Sequence, residues 1–479
     1  MTSDIKNFLE IPYDRLEELN VEAKEKVVNR NDEGELRECY LKYLSDEKQL
    51  KAVTVCFSDL EGRFYMLDYD KKHLLQSYDN LTFDGSSIKG FSRVRESDLR
   101  LEVDWGSFRW LPSDIFGPGK VITFGVIKNQ DGSIHDADFR GKLKEFSASL
   151  FEEKRLTANV SVECEGFLFE GLSAEQNYSS REGFKLVSRG GYFNSLPKDS
   201  LKTFIDSLAE AQRALAFQNE KDHPEVAPSQ FELNYRYCDA LLAADQVQLY
   251  KLIARQVAAN MGMTASFLPK PIAEINGSGM HCNLSLAEGE KNLFYDKAGE
   301  LGLSDQAWSF VDRILHSAGD MCLALNSSVN SYRRLDPRYE APNQIKVSAV
   351  DRTAMVRVPL GNEKSTRIEI RAVAPDANPY LAFYIMLRVG LEGPLQESDI
   401  AKRRHSDDRM LPGDMYDAIE LFENSTLMEE LIGLRNRERY AQLKTLSAHR
   451  CPHDLGSLVK TAEILFHHEV TNQHLWSHF

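Results

Sequence analysis

Residues 159–171 read NVSVECEGFLFEG. Apolar and polar side chains alternate through VSVEC, the pattern of a half-buried strand. Two positions apart on that strand, Glu163 and Glu165 point to the same face. Carboxylates that close repel unless a cation or a proton lies between them. An exposed strand face carries such pairs too, so this one needs partners elsewhere in the chain before it marks a site.

Outward from this stretch, strand-like segments such as SQFELNYRY (229–237) alternate with amphipathic helical runs, KTFIDSLAEAQRAL (202–215) and DQVQLYKLIARQVAANMG (245–262). This predicts an α+β catalytic domain. Upstream, KAVTVCFSDLEGRFYML (51–67) and GKVITFGVIKNQDGS (119–133) read as strands of a small mixed sheet, with a boundary near 135 before the helical run DFRGKLKEFSASLFEE. Residues 1–45 are charged and helix-like, and read as a solvated or subunit-contacting extension. Three parts are therefore expected: a helical extension over 1–45, a small sheet domain over 46–135, and a catalytic domain over 136–479 that ends in helices.

Composition narrows the function. The 479 residues carry a formal charge of −15, which repels nucleic acid and acidic membranes. No run of 18 apolar residues occurs, and the acidic N-terminus has no signal-peptide core, so neither membrane insertion nor secretion is expected. Seven scattered cysteines without a C-x-x-C pair fit a reducing cytoplasm and argue against a zinc cage. An anionic substrate would then need a local concentration of base. Residues 333–371 supply it, with seven Arg and two Lys against five acids. Arginine dominates there, which favours forked recognition of carboxylates and phosphates.

Further acids surround that stretch. Glu225 and Glu232 flank a Pro-containing turn in HPEVAPSQFEL, and Glu369 lies in RIEIR, sharing a strand face with Arg367 and Arg371. His281 follows the glycine-rich NGSGM, which permits close backbone approach to a ligand. Hard oxygen donors with one imidazole suit Mg²⁺ or Mn²⁺ rather than zinc. No P-loop sequence and no Ser-His-Asp or Cys-His arrangement occurs, and Cys282 beside His281 reads as packed.

Eight segments, in order, carry a resemblance: FDGSSIKGF (83–91) with ESD (96–98), ECEGFLF, HPEVAPSQFE, LPKPIAEINGSGMHCNLSL, NSSVNSYRRLDPRYEAP, DRTAMVRVP and RIEIRAVAPDANPYLAF. Over about residues 50–395 the chain resembles type I glutamine synthetase, and favours its alpha subtype. The resemblance implies an N-terminal β-grasp domain and a catalytic domain with a curved antiparallel sheet flanked by helices. It also implies dodecamers of two stacked hexameric rings whose active sites are shared between neighbours. Matched by motif, Glu165, Glu225 and Glu232 would bind one metal ion, and Glu163, His281 and Glu369 a second, with two to three Mg²⁺ or Mn²⁺ ions per site. Asn276, Gly277, Arg334 and Arg371 would hold L-glutamate; Ser285, Arg352, Arg357, Lys364 and Arg367 would face ATP, Arg352 also serving the transfer itself. Asp84, Ser87, Tyr192, Glu225 and Glu340 would form the ammonium pocket, with Asp84 and Glu340 as catalytic proton acceptors. Arg93 matches an arginine linked to feedback inhibition by glutamine.

The chain departs from the family pattern at Gly166, where an aromatic is usual, at Pro224, where a His precedes the glutamate, and at Asn283, where many members have a second His. Two rival functions stand beside amidation of glutamate by ammonia: a ligase that accepts an amine or polyamine, and a non-catalytic regulatory homologue. The His-rich tail, with His467, His468, His474 and His478, reads as packed or disordered rather than as a metal site.

Overall fold

The computed structural model describes residues 7–88, 90–91, 98–179, 181–194, 196–335, 341–395 and 404–449. Glu340, Arg93 and the His-rich tail lie outside the described residues.

Two helices, Tyr13–Val28 and Glu33–Asp46, lead into a five-stranded sheet of β1 (Ala52–Ser58), β2 (Phe64–Asp70), β3 (Thr82–Asp84), β4 (Asp98–Trp110) and β5 (Lys120–Lys128). Asp32 starts the second helix by accepting from the N–H groups of Gly34 and Glu35, donors that a helix's own ladder leaves unpaired. The sheet order is β2-β1-β5-β4-β3, parallel between β1 and β5 and antiparallel elsewhere. β5 is buried along almost its whole length, as a central strand covered on both faces must be. The first helix is not merely solvated, as its charge suggested. It buries Leu16, Asn20 and Ala23, and packs on β4 and on the helix Ser200–Ala214.

From residue 156 the chain forms β6 (Leu156–Cys164), β7 (Gly166–Glu170), β8 (Asn219–Pro224), β9 (Gln230–Tyr235), β10 (Cys238–Asp239), β11 (Met263–Ser266), β12 (Met280–Glu288), β13 (Lys291–Asn292), β14 (Gln344–Ser348), β15 (Ala354–Arg357) and β16 (Ile368–Ile370). One sheet runs β10-β6-β12-β16-β15-β14, with β13 paired to β12, and a second runs β11-β7-β9-β8. All of these pairings are antiparallel except β14 with β15. Only Glu165 separates β6 from β7, so one stretch of chain passes from the first sheet into the second and curls the surface between them. Helices back this surface, among them Ala240–Asn260 against β6 and β11 and Pro379–Glu392 against Ala240–Asn260. The α+β expectation therefore holds.

Gly166 shows why the usual aromatic cannot stand there. A Cβ at that position would lie 2.6 Å from the Phe231 ring, closer than real contacts come, and 3.1 Å from that of Phe267, a tight contact. Arg140, fully buried, joins Asp104 of the five-stranded sheet (2.8 Å) to Asp245 of the helix Ala240–Asn260 (2.7 Å). Removing one partner of such a buried set would leave an uncompensated charge, so the set holds the two halves in one relative placement.

Candidate active site

Strand register gathers the functional side chains. His281 pairs with Glu163 across β12 and β6, and Asn283 with Glu369 across β12 and β16. Because side chains alternate, Asn159, Ser161 and Glu163 of β6, His281, Asn283 and Ser285 of β12, Arg357 of β15 and the flanking Arg367 and Arg371 all face one cavity of about 460 Å³. From the other sheet, Gln230, Glu232 and Asn234 of β9 and His223 of β8 close the opposite wall. Glycine is required at 279, where a Cβ would come within 2.5 Å of Arg334 and 2.7 Å of the His281 ring. The close approach here is of the NGSGM backbone to these two side chains.

Two groups of possible ligands stand in this region. Glu163, His281 and Glu369 form one, and His223, Glu225 and Glu232 the other, each with its donor atoms within 4.8 Å of one another. In the first, His281 Nδ1 lies 3.5 Å from Glu163 and 3.7 Å from Glu369. Glu369, on the strand face of Arg367 and Arg371 but fully buried, accepts from Arg357 (2.7 Å) and Arg371 (2.8 Å). In the second, His223 lies 3.6 Å from Glu225 and 3.9 Å from Glu232. Glu165 is held between the groups by the Gly279 N–H (2.8 Å) and the Gln230 amide (3.3 Å).

The charges here are under tension. Burial, reinforced by the neighbouring Glu225, pushes Glu165 up to about 8. Burial and then the charges of Glu165, Glu163 and Glu225 raise Glu232 well above the ordinary carboxylate range, and burial raises Glu225. Burial also works against Glu163, but His281, Asn283 and Arg367 outweigh it and draw the group down to about 2. Carboxylates crowded until they hold protons are also poised to bind cations, which relieve the same repulsion. All-oxygen donors with one imidazole per group fit Mg²⁺ or Mn²⁺.

Cationic side chains stand among these groups. Arg334, Arg352, Arg357, Lys364, Arg367 and Arg371 line the cavity. Arg334 is buried beside Arg371, and desolvation brings its guanidinium down to about 10. Arg334 donates to the Arg371 carbonyl (2.9 Å), while Arg334 Nη1 and Arg371 Nε are buried without a partner among the described residues. Buried guanidinium donors left unpaired call for an anionic ligand.

The cavity is therefore lined by five of the six predicted metal-binding residues, with the sixth, Glu369, buried beside His281 and Glu163, and also by Asn276, Gly277, Ser285 and Tyr192. It does not include Asp84 and Ser87, which stand exposed at the end of β3 and just beyond it. The hydroxyls of Ser86 (2.6 Å) and Ser87 (2.5 Å) hold the Asp84 carboxyl below its usual range. His223 escaped the sequence reading, which noted only the Pro at 224. Its signal was the two-residue spacing from Glu225, the same spacing that singled out Glu163 and Glu165. Asn283 replaces the second His by bridging Glu163 (3.0 Å) and Arg367 (2.9 Å).

A sequence profile for the glutamine synthetase catalytic domain matches residues 136–455. The chain belongs to the glutamine synthetase family. It is 36% identical over 401 residues to the glutamine synthetase of Methanosarcina mazei, covering 81% of this chain and 88% of that one. To that of Clostridium saccharobutylicum it is 35% identical over 408 residues, covering 81% and 90%. The fold is similar to that of the Plasmodium falciparum glutamine synthetase (TM-score 0.74, 22% identity, covering 87% of this chain and 95% of that one). It is also similar to GmaS in complex with ADP (TM-score 0.71, 27% identity, covering 85% and 95%). As a member of the glutamine synthetase family the chain is an enzyme of the ligase class. No helix among the described residues is long and apolar enough to cross a membrane.

Proposed function

We propose that the chain makes L-glutamine from L-glutamate, ammonia and ATP through a γ-glutamyl phosphate, releasing ADP and phosphate. One observation carries this reading: a single cavity brings two carboxylate–imidazole groups together with a set of guanidinium groups that includes unpaired buried donors. Phosphoryl transfer between two anions needs both kinds of group.

Glu163, His281 and Glu369 would hold one divalent ion, and Glu165, Glu225 and Glu232, joined by His223, another; such ions, when bound, neutralise phosphate charge. Arg334 and Arg371, with Asn276 and Gly277, hold the carboxylates of glutamate. Ser285, Arg352, Arg357, Lys364 and Arg367 align the triphosphate. A γ-carboxylate oxygen attacks the terminal phosphorus, the bond to ADP breaks, and the carboxylate has gained a phosphate leaving group. Ammonium gives a proton to Asp84, the nitrogen attacks the acyl carbon, and phosphate departs. Glu340 takes a proton from the adduct and helps to keep water out.

Asp84 and Ser87 are exposed and lie apart from the cavity of their own chain. The reading therefore calls for a second copy that presents its β3 end to this cavity. That is the homo-oligomer, a dodecamer of two hexameric rings, which the resemblance implies. Arg93 would take part in feedback control by glutamine.

A second reading, with an amine as acceptor, draws on one feature. Tyr192 and Phe193 stack at the cavity (3.8 Å between centroids) and present their edges to His223, with both rings more than half exposed. Such a wall could receive an alkyl group. The test is phosphate release from ATP with glutamate and Mg²⁺, comparing ammonium with a panel of amines. Release strongest with ammonium and lost in Asp84→Ala supports glutamine synthesis; release only with an amine replaces that reading with the second.

A further inference from the structure

The helix Tyr13–Val28 contributes nothing to the cavity, yet one of its side chains binds both halves of the chain at once. Asn20 is fully buried. Its Nδ2 donates to the Ala214 carbonyl (2.7 Å) and the Trp110 carbonyl (2.9 Å), and its Oδ1 accepts from the Trp110 N–H (2.9 Å). One turn later, Lys24 Nζ donates to the Ala216 carbonyl (3.1 Å).

These contacts fall at a consequential point. Ala214 ends the helix Ser200–Ala214, where the last carbonyls lack partners within the helix. Ala216 is buried at φ +61°, a left-handed conformation that is strained for a non-glycine residue. Such a reversal persists only where its surroundings fix it. Three residues on, β8 begins, bearing Glu220, Lys221 and His223 on the cavity and leading directly to Glu225. At the other end of the clamp, Trp110 closes β4, whose first residue, Asp98, pairs with Asp84.

We infer that Asn20, aided by Lys24, is a positioning residue for the active site: it fixes the turn at 214–216 and thereby the placement of His223 and Glu225 on the cavity wall. The helical extension is then a working part of the site, although it never touches substrate. The inference rests on the proposed cation-binding role of His223, Glu225 and Glu232.

The test uses the full-length protein with Asn20→Ala, Lys24→Met, His223→Ala and the double variant Asn20→Ala/His223→Ala. Two readouts are taken: Mn²⁺ affinity by titration, without ATP, and amide hydrogen exchange along 217–225. In Asn20→Ala, exchange should quicken in 217–225 while β12 keeps its protection, and Mn²⁺ affinity should fall about 3- to 10-fold. In the His223→Ala background the same change should cost markedly less, because coupled residues do not add. Lys24→Met should move both readouts in the same direction, and it decides the matter if Asn20→Ala does not fold. Exchange in 217–225 unchanged, or quickened equally throughout the chain, overturns the inference, as does full additivity. If His223→Ala leaves Mn²⁺ binding intact, the cation reading fails, and the exchange arm alone decides whether Asn20 positions β8.

Discussion

Cation binding should be driven by proton release, in an amount that the cavity itself fixes. Glu165, pushed up to about 8, is about nine-tenths protonated at pH 7, and burial with the neighbouring carboxylates also raises Glu232. A divalent ion needs both as carboxylates, so its binding expels about one proton from Glu165 at neutral pH, to which Glu232 adds. The logarithm of the Mn²⁺ association constant should then climb by about one unit or more per pH unit between pH 6 and 7.5. The same shifts fix the sign of the metal-free stability. The folded state holds these protons more tightly than the unfolded chain does, so stability is lost as pH rises from the ordinary carboxylate range toward 8. Glu163 is shifted the other way, to about 2, and its contribution is lost only in acid, below the usual carboxylate pKa. It leaves the neutral window untouched. The assay is calorimetric titration with Mn²⁺ in buffers of differing ionisation enthalpy, together with melting of the metal-free protein from pH 5.5 to 8. Binding without proton uptake by the buffer, or a metal-free melting temperature that rises across that range, would refute the argument.

Three further outcomes are expected. Gly166→Ala should lower stability by about 1–3 kcal/mol, because the added methyl meets Phe231 and Phe267; denaturant melts check this, and an unchanged midpoint would mean that the rings give way freely. Glu369→Gln leaves Arg357 and Arg371 short of a counter-charge, and should cost about 3 kcal/mol or more as well as phosphate release; a variant of normal stability and activity would contradict that pairing. Mixing inactive Asp84→Ala with inactive Glu369→Gln, after dissociation and reassembly, should restore about a quarter of parental activity if each site draws on two copies; no recovery from reassembled oligomer would place Asp84 outside the shared site.

Sequence went furthest where chemistry rides on a strand. Glu163, Glu165 and Glu369 stand out because period-two spacing predicts which face a side chain takes, His281 stands out by following the glycine-rich NGSGM, and the register brings Glu163, His281 and Glu369 together. His223 is legible only from the strand spacing that it shares with Glu225, two residues on, and not from the Pro between them. The packing of the helix Tyr13–Val28 within its own chain is not legible in its charge: its buried stripe is narrow and includes one polar residue, Asn20, whose partners lie 90 and 194 positions away. No local pattern reports contacts of that range. Asp84 could be tied to the site only through the family motif, since within one chain nothing draws it to the cavity.

Pairing of His281 with Glu163, and of Asn283 with Glu369, also bears on which changes in length the chain can survive. Deleting or inserting one residue within β12 would turn Cys282, Leu284 and Leu286 toward the cavity and send His281, Asn283 and Ser285 into the apolar layer behind. Natural variation in length among relatives should therefore skip β6, β12 and β16 and gather in the connections between them, so that gaps in an alignment would outline the active site as clearly as the residues that fill it.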